Sequence, residues 1–197
     1  DLAAQSSANR VGIDRLEQMI RALTAQRYAC AIEQLNGYGR TVAEAGVRRI
    51  PDGRYCFEDV MDSDGQAASA CAIKVEITVA DAAVQVDFTG TSPAVPGNIN
   101  CPLSVTAAGV FYVIRCLLPP ETPACAGAFD VITIRAEPGC LVHAQRPAAT
   151  AAGNVETSMR IVDCMLGALA MALPNEIPAA SQGTMNNVAM GQVGHWD

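Results

Sequence analysis

Aromatic residues make up only 5% of this 197-residue chain and charged residues 17%, and histidine occurs twice. His143 and His195 lie far apart with no histidine-rich spacing around them. A metal held by this chain alone would therefore need oxygen ligands. The eight cysteines (30, 56, 71, 101, 116, 125, 140, 164) form no CxxC pair, which argues against a structural zinc site. A chain of this length can bury a core without a disulfide framework, so buried, reduced thiols of a cytoplasmic protein are expected. The longest apolar run, residues 103–118, falls short of the roughly 20 residues of a membrane span and contains Arg115. GxxxxGK[ST], GxGxxG and GxSxG are all missing, so neither a phosphate loop nor a nucleophile elbow is expected. Thirteen Lys and Arg against 20 Asp and Glu leave a net charge of -7, and a diffuse acidic surface makes nucleic acid a poor partner.

Apolar residues are plentiful at 50%, enough for a core within a single unit. Residues 8–45 read as a long helix, with Val11, Leu16, Met19, Ile20, Leu23, Ile32 and Leu35 at three- and four-residue spacing. Gly37 and Gly39 weaken it, so a break is expected around Asn36-Gly37-Tyr38-Gly39. The period then changes. Residues 55–59 suggest a strand, Asp62-Ser63-Asp64-Gly65 a solvated turn, and residues 72–79 and 83–88 a hairpin around Ala80-Asp81-Ala82. Residues 103–117 form a helix apolar on every side, expected to be buried and ended by Pro119 and Pro120. A strand over 129–136, a second buried helix over 156–173 and a strand over 184–190 complete the pattern. The fold class is α+β: antiparallel strands and hairpins with apolar helices packed on one side, helical over 1–45 and mixed over 46–197.

The chemistry concentrates at junctions between elements. Asp87 and Thr89 follow the hairpin, Asn98 and Asn100 precede the 103 helix, Asn154 and Glu156 open the next, and Asn186 lies in the last strand. Backbone N–H groups are free at such ends, but Asn and Thr there also cap helices and close turns. Both readings stay open for Asn98, Asn100 and Asn154.

These junctions also carry a resemblance. Asp1-Leu2-Ala3-Ala4-Gln5 through Ala8-Asn9-Arg10, Pro51-Asp52-Gly53 with Phe57-Glu58-Asp59, and Val86-Asp87-Phe88-Thr89-Gly90-Thr91-Ser92 resemble the hydantoinase B family. So do Gly97-Asn98-Ile99-Asn100-Cys101-Pro102-Leu103, Gly153-Asn154-Val155-Glu156-Thr157-Ser158, and Ala168-Leu169-Ala170 leading to Gly183-Thr184-Met185-Asn186. The motifs run in one order along nearly the whole chain, which is more specific than any one of them. The family includes the B-type components of ATP-dependent N-methylhydantoinases, the matching half of 5-oxoprolinase, and acetone and acetophenone carboxylase subunits.

The resemblance implies a partnership. A hydantoinase A-type component with an actin-like kinase fold binds ATP and Mg, and the B-type component completes the site where a small cyclic amide is opened. An unstrained amide is a poor electrophile, and phosphorylating its oxygen supplies a leaving group before water attacks. B-type components of the family are much longer; their His/Asp cluster, a metal site in the carboxylase branch, precedes the segment that matches Asp1. The chain is thus expected to be an internal piece, residues 1–197 forming one α+β segment with no metal site of its own and no membrane contact. Under this resemblance Asp87 and Glu156 are the catalytic candidates, and Thr89, Asn98, Asn100, Asn154 and Asn186 the substrate-binding candidates. A carboxylase-type subunit and a non-catalytic assembly module are the alternatives.

Overall fold

A computed structural model describes residues 1–67 and 69–184 together with the backbone of two short segments near the C-terminus. The chain runs α1 (Leu2–Leu23), α2 (Ala25–Val47), β1 (Gly53–Met61), β2 (Cys71–Ala80), β3 (Ala83–Asp87), α3 (Leu103–Leu117), β4 (Ile132–Arg135) and α4 (Ser158–Ala170). A 3-10 turn at Ala126–Phe129 and a π-turn at Gly153–Thr157 precede β4 and α4, and β5 (Gly191–Gln192) pairs antiparallel with β6 (His195–Trp196). The expected strand over 184–190 lies almost wholly outside the described residues.

The hairpin forms as its alternation predicts. Cys71, Ile73, Val75, Ile77 and Val79 of β2 and Val84 and Val86 of β3 are buried, while Lys74, Glu76, Thr78 and Gln85 face the wetter side. Asp81 and Ala82 both take positive φ (52° and 63°), the two-residue turn whose twist matches that of the strands. The sheet order is β1-β2-β3-β4, but β4 pairs with β3 in parallel, which corrects the all-antiparallel expectation. The connection from β3 to β4 carries α3, and such a crossover is what parallel pairing requires.

α4 packs on β1 and β2, and α3 packs on α4. Ile161, Cys164, Met165, Ala168 and Leu169 are buried against the sheet's apolar face, the large ones (Ile161, Met165 and Leu169) each stabilising by about 1.5–3 kcal/mol. α3 is not buried all round: Thr106, Gly109, Val110, Val113 and Ile114 face inward, while Tyr112 is 61% exposed. Its bounds are those of the apolar run, set by Pro102 and Pro119.

The long N-terminal helix breaks at Thr24 (φ 70°), not at the glycines. Gly39 stays helical because the 3-10 turn packs against α2 there; a Cβ at Gly39 would meet the Cys125 Sγ at 2.5 Å. Close approach, rather than flexibility, explains that glycine. The thiols divide: Cys71, Cys101, Cys140 and Cys164 are buried, Cys125 is half-buried, and Cys30, Cys56 and Cys116 are exposed, all without disulfides. The expectation of buried thiols thus holds for only half of them.

Asp64 also departs from expectation. It is buried, not part of a solvated turn. Its carboxylate accepts the backbone N–H groups of Gln66 (2.9 Å), Ala67 (2.7 Å) and Gly97 (2.9 Å), tying the β1–β2 loop to the segment before α3. Those hydrogen bonds hold its pKa below the usual carboxylate value. Among the described residues no helix is long and apolar enough to cross a membrane.

Candidate functional site

The loop before α3 and the turn before α4 are locked together. Asn100 is fully buried; its Oδ1 accepts the Val95 N–H (2.8 Å), and its Nδ2 donates to the carbonyls of Val95 (2.8 Å), Gly97 (2.8 Å) and Ala149 (2.9 Å). The Asn98 carbonyl accepts the Ala152 N–H at 2.9 Å, and the Thr157 hydroxyl donates to the Ile99 carbonyl. Gly153 fits because a Cβ there would come within 2.1 Å of the Asn100 carbonyl oxygen. The capping readings fail: the N-caps of α3 and α4 are Pro102 and Thr157, and neither makes a side-chain capping bond to its own helix. The Asn100 donors are spent on backbone carbonyls and its side chain is fully buried, whereas the Asn98 side chain is exposed.

Asn154 and Glu156 of the turn line two cavities, both bordered by the segment 178–184. Asn154 lines a largely apolar cavity of about 490 Å³ between α3 and α4, with Val105, Met159, Val162, Leu166 and Pro178. Glu156 lines a more polar one of about 360 Å³, with Asp62, Ser63, Arg160 and Thr184. One face of the helix clasps the segment 178–184. Glu156 accepts the Thr184 hydroxyl at 2.7 Å, and Asp163 accepts that of Ser181 at 3.1 Å. Gly183 lies against the Arg160 guanidinium. Positions 156, 160 and 163 share that face because of the three- and four-residue periodicity of a helix.

Arg160 joins α4 to β1 through a 2.6 Å bond from its Nη1 to Asp59 Oδ2. Burial pulls its pKa down, but the hydrogen bond and charge of Asp59, helped by Asp163, outweigh that and raise it. Cys164 on the same helix has its thiol pKa pushed up to about 12 by burial. Among the described residues no three His, Cys, Asp or Glu side chains converge where a metal ion could sit.

The expected site residues are not all brought together. Asn98, Asn100, Asn154 and Glu156 gather at the start of α4. Asp87 and Thr89 stand on the wet face of the sheet: Asp87 Oδ1 accepts the Thr89 N–H (2.8 Å) and hydroxyl (2.6 Å), and Oδ2 pairs with Arg135 at 3.5 Å. Thr89 lines a shallow depression there with Cys56, Glu58, Lys74 and Glu76. Asn186 lies outside the described residues. Sequence reasoning missed Arg160, Asp163 and Ser181, although two charges inside an otherwise apolar helix were a visible signal.

The arrangement offers an apolar chamber with an amide at its edge, beside a polar one holding a carboxylate. Comparisons with known proteins agree on where such a chain belongs. It is 35% identical to 5-oxoprolinase 1 of Arabidopsis thaliana over 97% of its length, covering 15% of that protein. It is 30% identical to the putative B-type component of a D-/L-hydantoinase from a Pseudomonas species over 96% of its length, covering 33% of that protein. The chain therefore spans a third or less of these relatives. In fold it is similar to the ATP-dependent caprolactamase of Pseudomonas jessenii (TM-score 0.74, 24% identity, 88% of this chain and 30% of that one). It is likewise similar to an acetone carboxylase (TM-score 0.68, 15% identity, 80% of this chain and 22% of that one). The family description Hydantoinase B/oxoprolinase matches residues 1–196, and the chain belongs to that family.

Proposed function

We propose that this chain is the central part of the B-type component of an ATP-dependent cyclic-amide hydrolase, opening a lactam or hydantoin ring together with an ATP-binding A-type partner in the cytoplasm. The observation that supports it is the family match over residues 1–196, with ring-opening enzymes by name among the relatives. ATP and Mg belong to the partner in this reading, because this chain offers neither a phosphate loop nor a cluster of metal-binding side chains among its described residues.

The chain's own residues hold and orient the substrate. The apolar cavity suits ring methylenes, and the Asn154 side chain brings an acceptor and two donors to pair with a ring C=O and N–H. Glu156 orients the attacking water, its carboxylate held by the Thr184 hydroxyl. Asn98 is a further amide contact from the neighbouring loop, Asn100 sets the shape of that loop, and Asn186 is one more amide for the substrate. Asp87 and Thr89, on the other face, contact what the A-type partner presents.

The test is ADP release by the intact parent assembled with its A-type partner, with hydantoin, 5-oxoproline and simple lactams supplied in turn. Turnover that depends on a ring substrate is expected, falling about 100-fold or more in Glu156→Gln, in the range of a lost general base. Acetone consumption that depends on bicarbonate, with no ring opening, would replace this reading by the carboxylase one, to which the fold likeness to acetone carboxylase lends support.

A further inference from the structure

Arg160 is the last Lys or Arg of the sequence: residues 161–197 contain neither. It is also the sole Lys or Arg among the described residues lining the two cavities at the start of α4. Its charge is already committed. Nη1 is held by Asp59 at 2.6 Å, Asp163 stands beside it, Gly183 covers its other side, and Nε is buried without a partner among the described residues. The same cavities are lined by the carboxylates of Asp62, Glu156 and Asp163. A helix N-terminus would ordinarily attract an anion, but Glu156 occupies the first turn here. Three of the turn's own N–H groups are also spent: those of Val155 and Glu156 go to the Ala152 carbonyl, and that of Gly153 goes to Thr150.

We infer that this site selects cyclic amides without a carboxylate over those that carry one. The inference rests on the ring-opening reading above and sharpens its substrate class. Among the described residues, a carboxylate on the ring would enter a space lined by three carboxylates and one cation, Arg160, already paired with Asp59. It would lose hydration beside three carboxylates, with neutral amides and hydroxyls but no uncommitted cation among the described residues to replace the water. An uncharged lactam meets no such penalty, and its methylenes fit the apolar chamber. Asp62 is exposed, so its share of the repulsion is partly screened; Glu156 and Asp163 are more sheltered and are screened less.

2-Pyrrolidinone and 5-oxoproline form a matched pair, the same five-membered lactam without and with a carboxylate. With the intact parent and its A-type partner, ADP release should show kcat/KM for 2-pyrrolidinone at least about tenfold above that for 5-oxoproline, equivalent to about 1.4 kcal/mol. Asp62→Lys should narrow the gap by raising the rate on 5-oxoproline while leaving that on 2-pyrrolidinone within about twofold, an effect that shrinks as salt is added. Equal or better use of 5-oxoproline by the wild type, or a gap unmoved by Asp62→Lys, overturns the inference and leaves the ring-opening reading standing. Turnover of neither lactam, nor of hydantoin, overturns both.

Discussion

α1 and α4 carry comparable apolar spacing and meet opposite fates. α1 has no buried residue: Val11, Ile13, Leu16, Met19 and Leu23 remain 41–58% exposed. In α4 the side chains of Ile161, Cys164, Met165, Ala168 and Leu169 are all at 0%. α4 has a sheet on one side and α3 on another, and burial there supplies most of its stability. α1 leans on local terms, whereas most helical stability in proteins comes from packing of an amphipathic face. Apolar period predicts a helix; it says nothing about what will cover the stripe.

The sharpest way to break that contrast is a pair of truncations. Met165→Ala should cost about 2–5 kcal/mol, the range for a buried side chain that leaves a cavity. Leu16→Ala on α1 should stay within about 0.5 kcal/mol, as for a surface position. Equal losses in chemical denaturation would mean that α1 is covered in solution and the contrast is false. Asn100→Ala comes next. It strips partners from one buried backbone N–H and three carbonyls where the two site loops meet, and should cost about 1–3 kcal/mol. Hydrogen exchange should then rise in the loops around Asn98 and Gly153 and leave α1 unchanged.

The smallest effect concerns acid. Asp64 has a lower pKa folded than unfolded, so its contribution is present above the unfolded value of 3.8 and is lost as pH falls through the folded one. Asp64→Asn should therefore be less stable than wild type near neutral pH. The two should converge in denaturation midpoints as pH drops below about 4. A gap that persists unchanged at low pH would show that the aspartate's charge has no part in holding this loop.

Legibility differed between fold and site for a physical reason. The β2–β3 hairpin could be read because its alternation and turn act within a few residues. Asp64 could not: the N–H group that distinguishes it from a solvated turn belongs to Gly97, distant in sequence. Junction residues were legible as polar groups at element ends, but not as a set, because their grouping depends on which face each element turns inward. Arg160 and Asp163 went unread inside an apolar helix, since their partners Asp59 and Ser181 come from β1 and from the segment after α4.

The amino-acid sequence by itself determined the α+β class, the hairpin, the bounds of α3 and the ordered motifs of the hydantoinase B family. All of these follow from short-range sterics, periodicity and residue identity. Only the tertiary structure decided that β4 runs parallel to β3, that within residues 1–197 α4 is enclosed and α1 is not, and that Asp87 and Glu156 stand on opposite sides of the sheet. Those outcomes depend on packing between segments tens of residues apart, where burial of one apolar face selects among arrangements that local preferences leave equal.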